Sequence, residues 1–256
     1  MANYHFEVKN ISRGKGRCIT SSMSYICGCK LYDFYNKESY FHRRNDVLYW
    51  EVYQPHNAPA KFSDLQYLCN EINEAEKRYD SRTGREFIAS LPNELSISEL
   101  IEIVDEYIEE HFVKQGLCAV AAIHEGRNEY DPSKDNPHVH IIVSTRVVGP
   151  DGFSKIKDRE HNKKVYVKIW REGWANIQNR AYERNGMKIR VSHESLEVQG
   201  IRREPTPYLS RIDYQKKERG ERTPVGDRKR AIQERNKRVQ KRQLKRGRGL
   251  KIEISM

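Results

Sequence analysis

Hydrophobic and polar positions alternate over Tyr4-His5-Phe6-Glu7-Val8-Lys9, a period of two that predicts a first strand. Residues 18–28 are small and polar around Tyr25 and suit a short helix carrying that tyrosine. Leu48 to Tyr53 reads as a strand, although residues 33–61 around it, rich in Tyr, His and Asn, show no clear period. A helix begins near Ser63, with Leu65, Leu68, Ile72 and Ala75 at helical spacing. Glu86 to Leu91 alternates as a strand, and Pro92 ends it. Ser96 and Glu99 form a capping box ahead of a helix whose buried face is Leu100, Ile101, Val104, Ile108 and Phe112; Gly116 stops it. Leu117 to Ile123 is a short apolar run, read as a buried strand. A polar loop at 125–136 follows, then a strand from His138 to Thr145. A last amphipathic helix is expected at 166–184, with Val167, Trp170, Trp174, Ile177 and Ala181 facing inward.

The loop at 125–136 joins two strands without a crossover helix, so those strands are expected to pair antiparallel. The fold class is therefore α+β, with an antiparallel central sheet flanked by helices, not a doubly wound parallel sheet. Within the 256 residues, 1–209 are expected to form one domain and 210–256 a basic tail, helical or disordered. No apolar run approaches the roughly 18–20 residues that span a bilayer. The first residues lack the apolar stretch of a signal peptide, so no membrane association and a cytoplasmic location are expected. The five cysteines form no zinc-type pair and are expected as free thiols.

Charge changes this picture at one end only. The net charge is +11, and Lys216 to Lys251 hold 16 Lys/Arg against 4 Asp/Glu, leaving 31 against 32 for the rest. The folded part is nearly neutral, while the tail is a footprint for a polyanion such as nucleic acid. Such binding releases counterions, depends on salt and ignores sequence. Near the other end, the loop Arg13-Gly14-Lys15-Gly16-Arg17 is basic and flexible enough to approach a phosphate, but it lacks the P-loop pattern.

The chemistry-bearing feature is Asn136-Pro137-His138-Val139-His140-Ile141-Ile142-Val143. Residues two apart on a strand share a face, so His138 and His140 project together and can take two positions on one metal ion. If the preceding strand pairs antiparallel, His124 returns beside His138 as a third imidazole. Three nitrogens leave coordination positions open for a substrate oxygen. A metal combined with nucleic-acid affinity suggests phosphodiester chemistry. A strand transferase would also need a side-chain nucleophile, and composition alone does not choose among 15 tyrosines.

Several blocks in colinear order over residues 3–209 resemble the MobA/MobL relaxases, the HUH-type endonucleases that mobilise plasmids. Tyr4-His5-Phe6, Ile11-Ser12-Arg13, Gly16-Arg17 and Ser24-Tyr25 resemble their opening motif. Glu86-Phe87 with Leu91-Pro92-Asn93-Glu94-Leu95 is similar to a second block. Ala122-Ile123-His124, Asn136 to His140 and Thr145-Arg146 are similar to the metal motif. Trp170, Trp174-Ala175, Asn179-Arg180-Ala181 and Glu183 to Gly186, then segments from His193 to Thr206, resemble the C-terminal signature.

The resemblance implies that Tyr25 is the nucleophile and that His124, His138 and His140 hold a divalent ion, Mn²⁺ or Mg²⁺. Glu86 falls where the family carries an acidic residue, with an expected role in orienting or deprotonating the tyrosine. Arg13, Lys15, Arg17 and Arg146 are assigned to DNA contact. The implied reaction is nicking and rejoining of one strand at a transfer origin through a 5′-phosphotyrosyl link. The implied partners are single-stranded or hairpin DNA, accessory mobilisation proteins and the coupling and secretion machinery. Two other readings share these features: a rolling-circle initiator or HUH transposase, and a non-catalytic nucleic-acid-binding protein with a structural histidine cluster.

Overall fold

The computed structural model of the chain describes residues 4–127, 135–207 and 209–253. They divide into two compact units, one ending at His193 and the other starting at Glu194. The first holds β1 (Phe6–Ser12), α1 (Ile19–Cys27), β2 (Lys30–Asp33), β3 (Glu38–Phe41), β4 (Val47–Tyr53), α2 (Leu65–Ala75) and β5 (Arg82–Ser90). It continues with α3 (Ile97–His111), β6 (Ala119–His124), β7 (His138–Val143), β8 (Val148–Gly149), β9 (Gly152–Phe153) and α4 (Lys164–Arg184). The second unit holds α5 (Arg211–Glu218) and the basic helix α6 (Pro224–Glu253). In it, Glu204 accepts both prongs of the Arg235 guanidinium at 2.8 Å. Among the described residues no helix is long and apolar enough to cross a membrane.

Five strands form one sheet in the order β1-β5-β7-β6-β4, every neighbouring pair antiparallel. The α+β class with an antiparallel sheet read from the sequence is the fold observed. The central strands are buried on both faces, and their period-two pattern sorts side chains into two cores. Phe87, Ala89, Ala121, Ile123, Val139 and Ile141 face α3 and α4. Val120, Ala122 and Ile142 face α1 and α2. The unit is thus three-layered, with the sheet between two pairs of helices.

Helix α3 starts on the expected capping box, Ser96 and Glu99 satisfying each other's backbone N–H groups. Helix α4 differs from expectation in one respect. Val167 is 41% exposed, whereas Tyr166 packs against the core and starts the stripe that runs through Trp170, Trp174, Ile177 and Ala181. That stripe has a four-four-three-four spacing, which leaves Val167 about 100° round the helix from it. The uncertain stretch near residue 33 is a hairpin, β2 with β3, turned by Lys37 at φ 55°. The polar loop expected at 125–136 lies partly outside the described residues, and its base is closed by the Asn136 N–H donating to Gly126 O at 2.9 Å.

Helices α3 and α4 meet closely at Gly173. A Cβ there would sit 2.2 Å from His111 Nε2 and 2.5 Å from its Cε1. Glycine inside a helix ordinarily costs about 0.5–1 kcal/mol relative to alanine. Here the close approach reverses that preference. Gly173→Ala is expected to lower the unfolding free energy by about 1–3 kcal/mol through overpacking, read as a fall in the urea midpoint. A rise in the midpoint would show that α3 and α4 have room to separate.

Candidate active site and metal centre

The antiparallel register of β6 and β7 pairs His124 with His138 and Ala122 with His140. All three histidines therefore lie on the α1 face of the sheet, at one end of its two central strands. Their ring centroids are 4.7–5.3 Å apart. One ring nitrogen from each comes within 4.8 Å of the others. An imidazole bound through one nitrogen needs the other held by an acceptor, which fixes the ring and its tautomer. Each ring here has such an acceptor. His124 Nε2 bonds the Ile26 carbonyl at 2.7 Å, His138 Nδ1 the Asn136 carbonyl at 2.8 Å, and His140 Nδ1 the Glu86 carboxylate at 3.3 Å. His124 Nδ1 is left buried with no hydrogen-bond partner. A buried lone pair without a donor is costly in a folded protein, and a metal ion is a fitting occupant. Burial pushes the His124 pKa down to about 4 and lowers that of His138, which favours the neutral imidazole, the form a metal ion would need.

Glu86 reaches this centre from β5, where Ile88 lies opposite His140 and Glu86 opposite Ile142. Its other carboxylate oxygen accepts from Arg17 Nη2 at 2.6 Å. Burial works to raise its pKa, but the bonds from His140 and Arg17 outweigh that and hold the carboxyl at about 2. Such a carboxylate is a weak proton acceptor. Its contacts are to the His140 ring and the Arg17 guanidinium.

Tyr25 sits on the last full turn of α1. Gly28, at φ 65°, caps that helix and donates to Ser24 O at 2.9 Å. The same terminus holds Ile26, whose carbonyl anchors His124, so one turn of helix positions both the tyrosine and a histidine. The Tyr25 ring is 44% exposed and lies edge-on to His140 with centroids 6.3 Å apart. His42 packs edge-on from another side at 5.8 Å, and the Arg44 guanidinium carbon lies 4.5 Å over the ring. Asp46 binds Arg44 through both oxygens, and this contact chiefly holds the Asp46 pKa at about 2.

Comparison with known proteins places the chain in a family. The MobA/MobL family model matches residues 17–219. The chain belongs to the MobA/MobL family. It is similar to a probable mobilization protein MobA of Bifidobacterium longum, with 28% identity covering 80% of this chain and 43% of that protein. A conjugal transfer protein TraA of Rhizobium radiobacter is 26% identical over 82% of this chain and 21% of its own length. The chain thus spans less than half the length of these curated relatives. A solved structure from work on the molecular basis of vancomycin resistance transfer in Staphylococcus aureus superposes with a TM-score of 0.68 and 30% identity. That match covers 76% of this chain and all of the other.

The four basic residues assigned to DNA in this MobA/MobL chain are placed differently from one another. Lys15 is exposed in the short turn Arg13–Lys15. Arg17 is bonded to Glu86 and one third exposed. Arg13 turns inward, donating to Asn73 and to the carbonyls of Glu76 and Arg78, with its guanidinium 3.7 Å from the Tyr35 ring centre. Arg146 is held by Glu76 at 2.9 Å and by the carbonyls of Ser154 and Lys155. Nothing in the sequence pattern singles out His42, Arg44 or Asp46. All three precede β4 in the aperiodic stretch, where no spacing marks them. Trp50 is 41% exposed on edge strand β4 opposite Ala122, on the same face as the histidines.

Replacing Glu86 by alanine frees the His140 ring and is expected to weaken Mn²⁺ binding about 10–100-fold, measured by calorimetric titration. An unchanged affinity in a folded variant would show that Glu86 does not orient His140.

Proposed function

We propose that this chain is the nicking and rejoining part of a plasmid relaxase, acting on one DNA strand at a transfer origin with Tyr25 as nucleophile. The observation that supports it most is the exposed phenol of Tyr25 edge-on to His140, beside three imidazoles that converge with their free nitrogens. His124 through Nδ1 and His138 and His140 through Nε2 would hold a divalent ion, and three imidazole ligands favour Mn²⁺ or another transition ion over Mg²⁺. When bound, the ion supplies Lewis-acid polarisation of the scissile phosphate.

The chain's own groups account for the rest. The Tyr25 oxygen attacks phosphorus in line. The phosphorus–O3′ bond breaks, the 3′ oxygen leaves as a hydroxyl, and the phenol proton is released. The strand's 5′ end is then a phosphotyrosyl ester, so its bond energy is conserved and a 3′-OH can reverse the reaction. Arg44, fixed by Asp46 over the Tyr25 ring, balances negative charge as it develops around the phenol oxygen and the phosphate. The strand must be unpaired at the cut, either as a single strand or flanking a hairpin. Trp50, exposed on the site face of β4, offers surface for an unstacked base. Helix α6 adds an electrostatic hold on DNA that falls with salt. Accessory mobilisation proteins and the coupling and secretion machinery would be partners of this reaction, carried out in the cytoplasm. The names of the relatives, mobilization protein and conjugal transfer protein, favour a transfer origin over a replication origin or transposon end.

Incubating the full chain and Mn²⁺ with labelled single-stranded transfer-origin DNA is expected to give a band that survives SDS. Tyr25→Phe is expected to abolish it, a loss of more than a hundredfold, while DNA binding persists. An adduct of normal yield from Tyr25→Phe would place the nucleophile on another residue. DNA binding by the wild type with no adduct would make the chain a binding module.

A further inference from the structure

A second recess opens beside Arg17. It has a volume of about 470 Å³ and is lined by Arg17, Tyr35, Asn36, Glu38, Tyr40 and Tyr79 among others. Three of these are tyrosines, and the reaction proposed above uses none of them. Tyr79 is 79% exposed and Tyr35 46% exposed, although each is a large ring that packing would ordinarily cover. The Arg13 guanidinium, held by α2 carbonyls, backs one face of Tyr35. Tyr40 donates to Glu38 at 3.0 Å, and Asn36 is tied to Asp33 by its backbone and side-chain nitrogens. The recess therefore has braced walls, aromatic faces, and the polar side chains of Arg17, Asn36 and Glu38 in its lining.

We propose that this recess takes one unpaired nucleobase of the DNA strand, stacked against Tyr79 and Tyr35. The inference rests on the relaxase reading and deepens it by locating a base-holding subsite for its substrate. Position supports a base in a strand over a free small molecule. Arg17 lines the recess and bonds Glu86, which bonds His140, so only two side chains separate it from the proposed metal centre. A strand whose phosphate lies at the histidines would reach it within a few nucleotides. Stacking on aromatic rings tolerates any base identity, and the polar rim is suited to reading a base edge.

The test compares two labelled single strands of equal length and phosphate count, one of mixed base sequence and one wholly abasic. Binding to the full chain is read by fluorescence anisotropy at fixed salt. Wild type is expected to favour the base-bearing strand. Tyr79→Ala is expected to weaken that strand about 5–100-fold and to leave the abasic strand unchanged. Phe34→Ala, which removes an exposed aromatic next to Tyr35 in the β2–β3 turn but outside the recess, is expected to change neither. Equal affinity of Tyr79→Ala and wild type for the base-bearing strand, or an equal loss on both strands, would overturn the subsite while leaving the relaxase reading intact. Failure of wild type to bind either strand would overturn both.

Discussion

The pairing of β6 with β7 is the constraint on which the rest of the molecule depends. Antiparallel register with a side-chain period of two puts His124 opposite His138 and leaves His140 on the same face. A slip of β7 by one residue would send His138 and His140 to the opposite core, away from His124, and bring Val139 and Ile141 to the α1 face. The apolar residues between the histidines therefore fix the register as firmly as any contact at the site, because they are buried against α3 and α4.

The second requirement is that α1 end where it does. Its last turn carries the Tyr25 phenol, the Ile26 carbonyl that anchors His124, and the Gly28 turn that stops the helix. The helix is seated by Ile19, Met23 and Ile26, all buried against the sheet and α2. Gly84 of β5 allows this approach, since a Cβ there would lie 2.8 Å from Ile19 Cδ1. Packing some distance from the site thus sets the spacing between the tyrosine and the histidines. Glu86 connects the two sides, taking Arg17 from just before α1 and His140 from β7.

Much of this was legible in the sequence, and for a physical reason. Period-two and period-3.6 patterns survive in long, well-buried elements, so β6, β7, α3 and most of α4 could be read directly, together with the same-face projection of His138 and His140. Choosing Tyr25 among the tyrosines needed family resemblance, because nothing local distinguishes a nucleophilic tyrosine from an ordinary one. His42, Arg44 and Asp46 were not legible. They lie in a stretch where short strands expose most of their side chains, so burial leaves no pattern. Glu86 was singled out by resemblance, but its connection to Arg17 and His140 depends on two strands and a turn meeting in space. Val167 was misplaced by one position because Tyr166, amphipathic and half-buried, carries the first turn of the stripe instead.

The convergence of the three imidazoles on one ion can be measured most directly by anomalous diffraction from crystals grown with Mn²⁺. The account requires one strong peak about 2 Å from His124 Nδ1, His138 Nε2 and His140 Nε2, on the side of the sheet that carries Tyr25. A peak ligated elsewhere in the chain, with these three nitrogens left free, would contradict it.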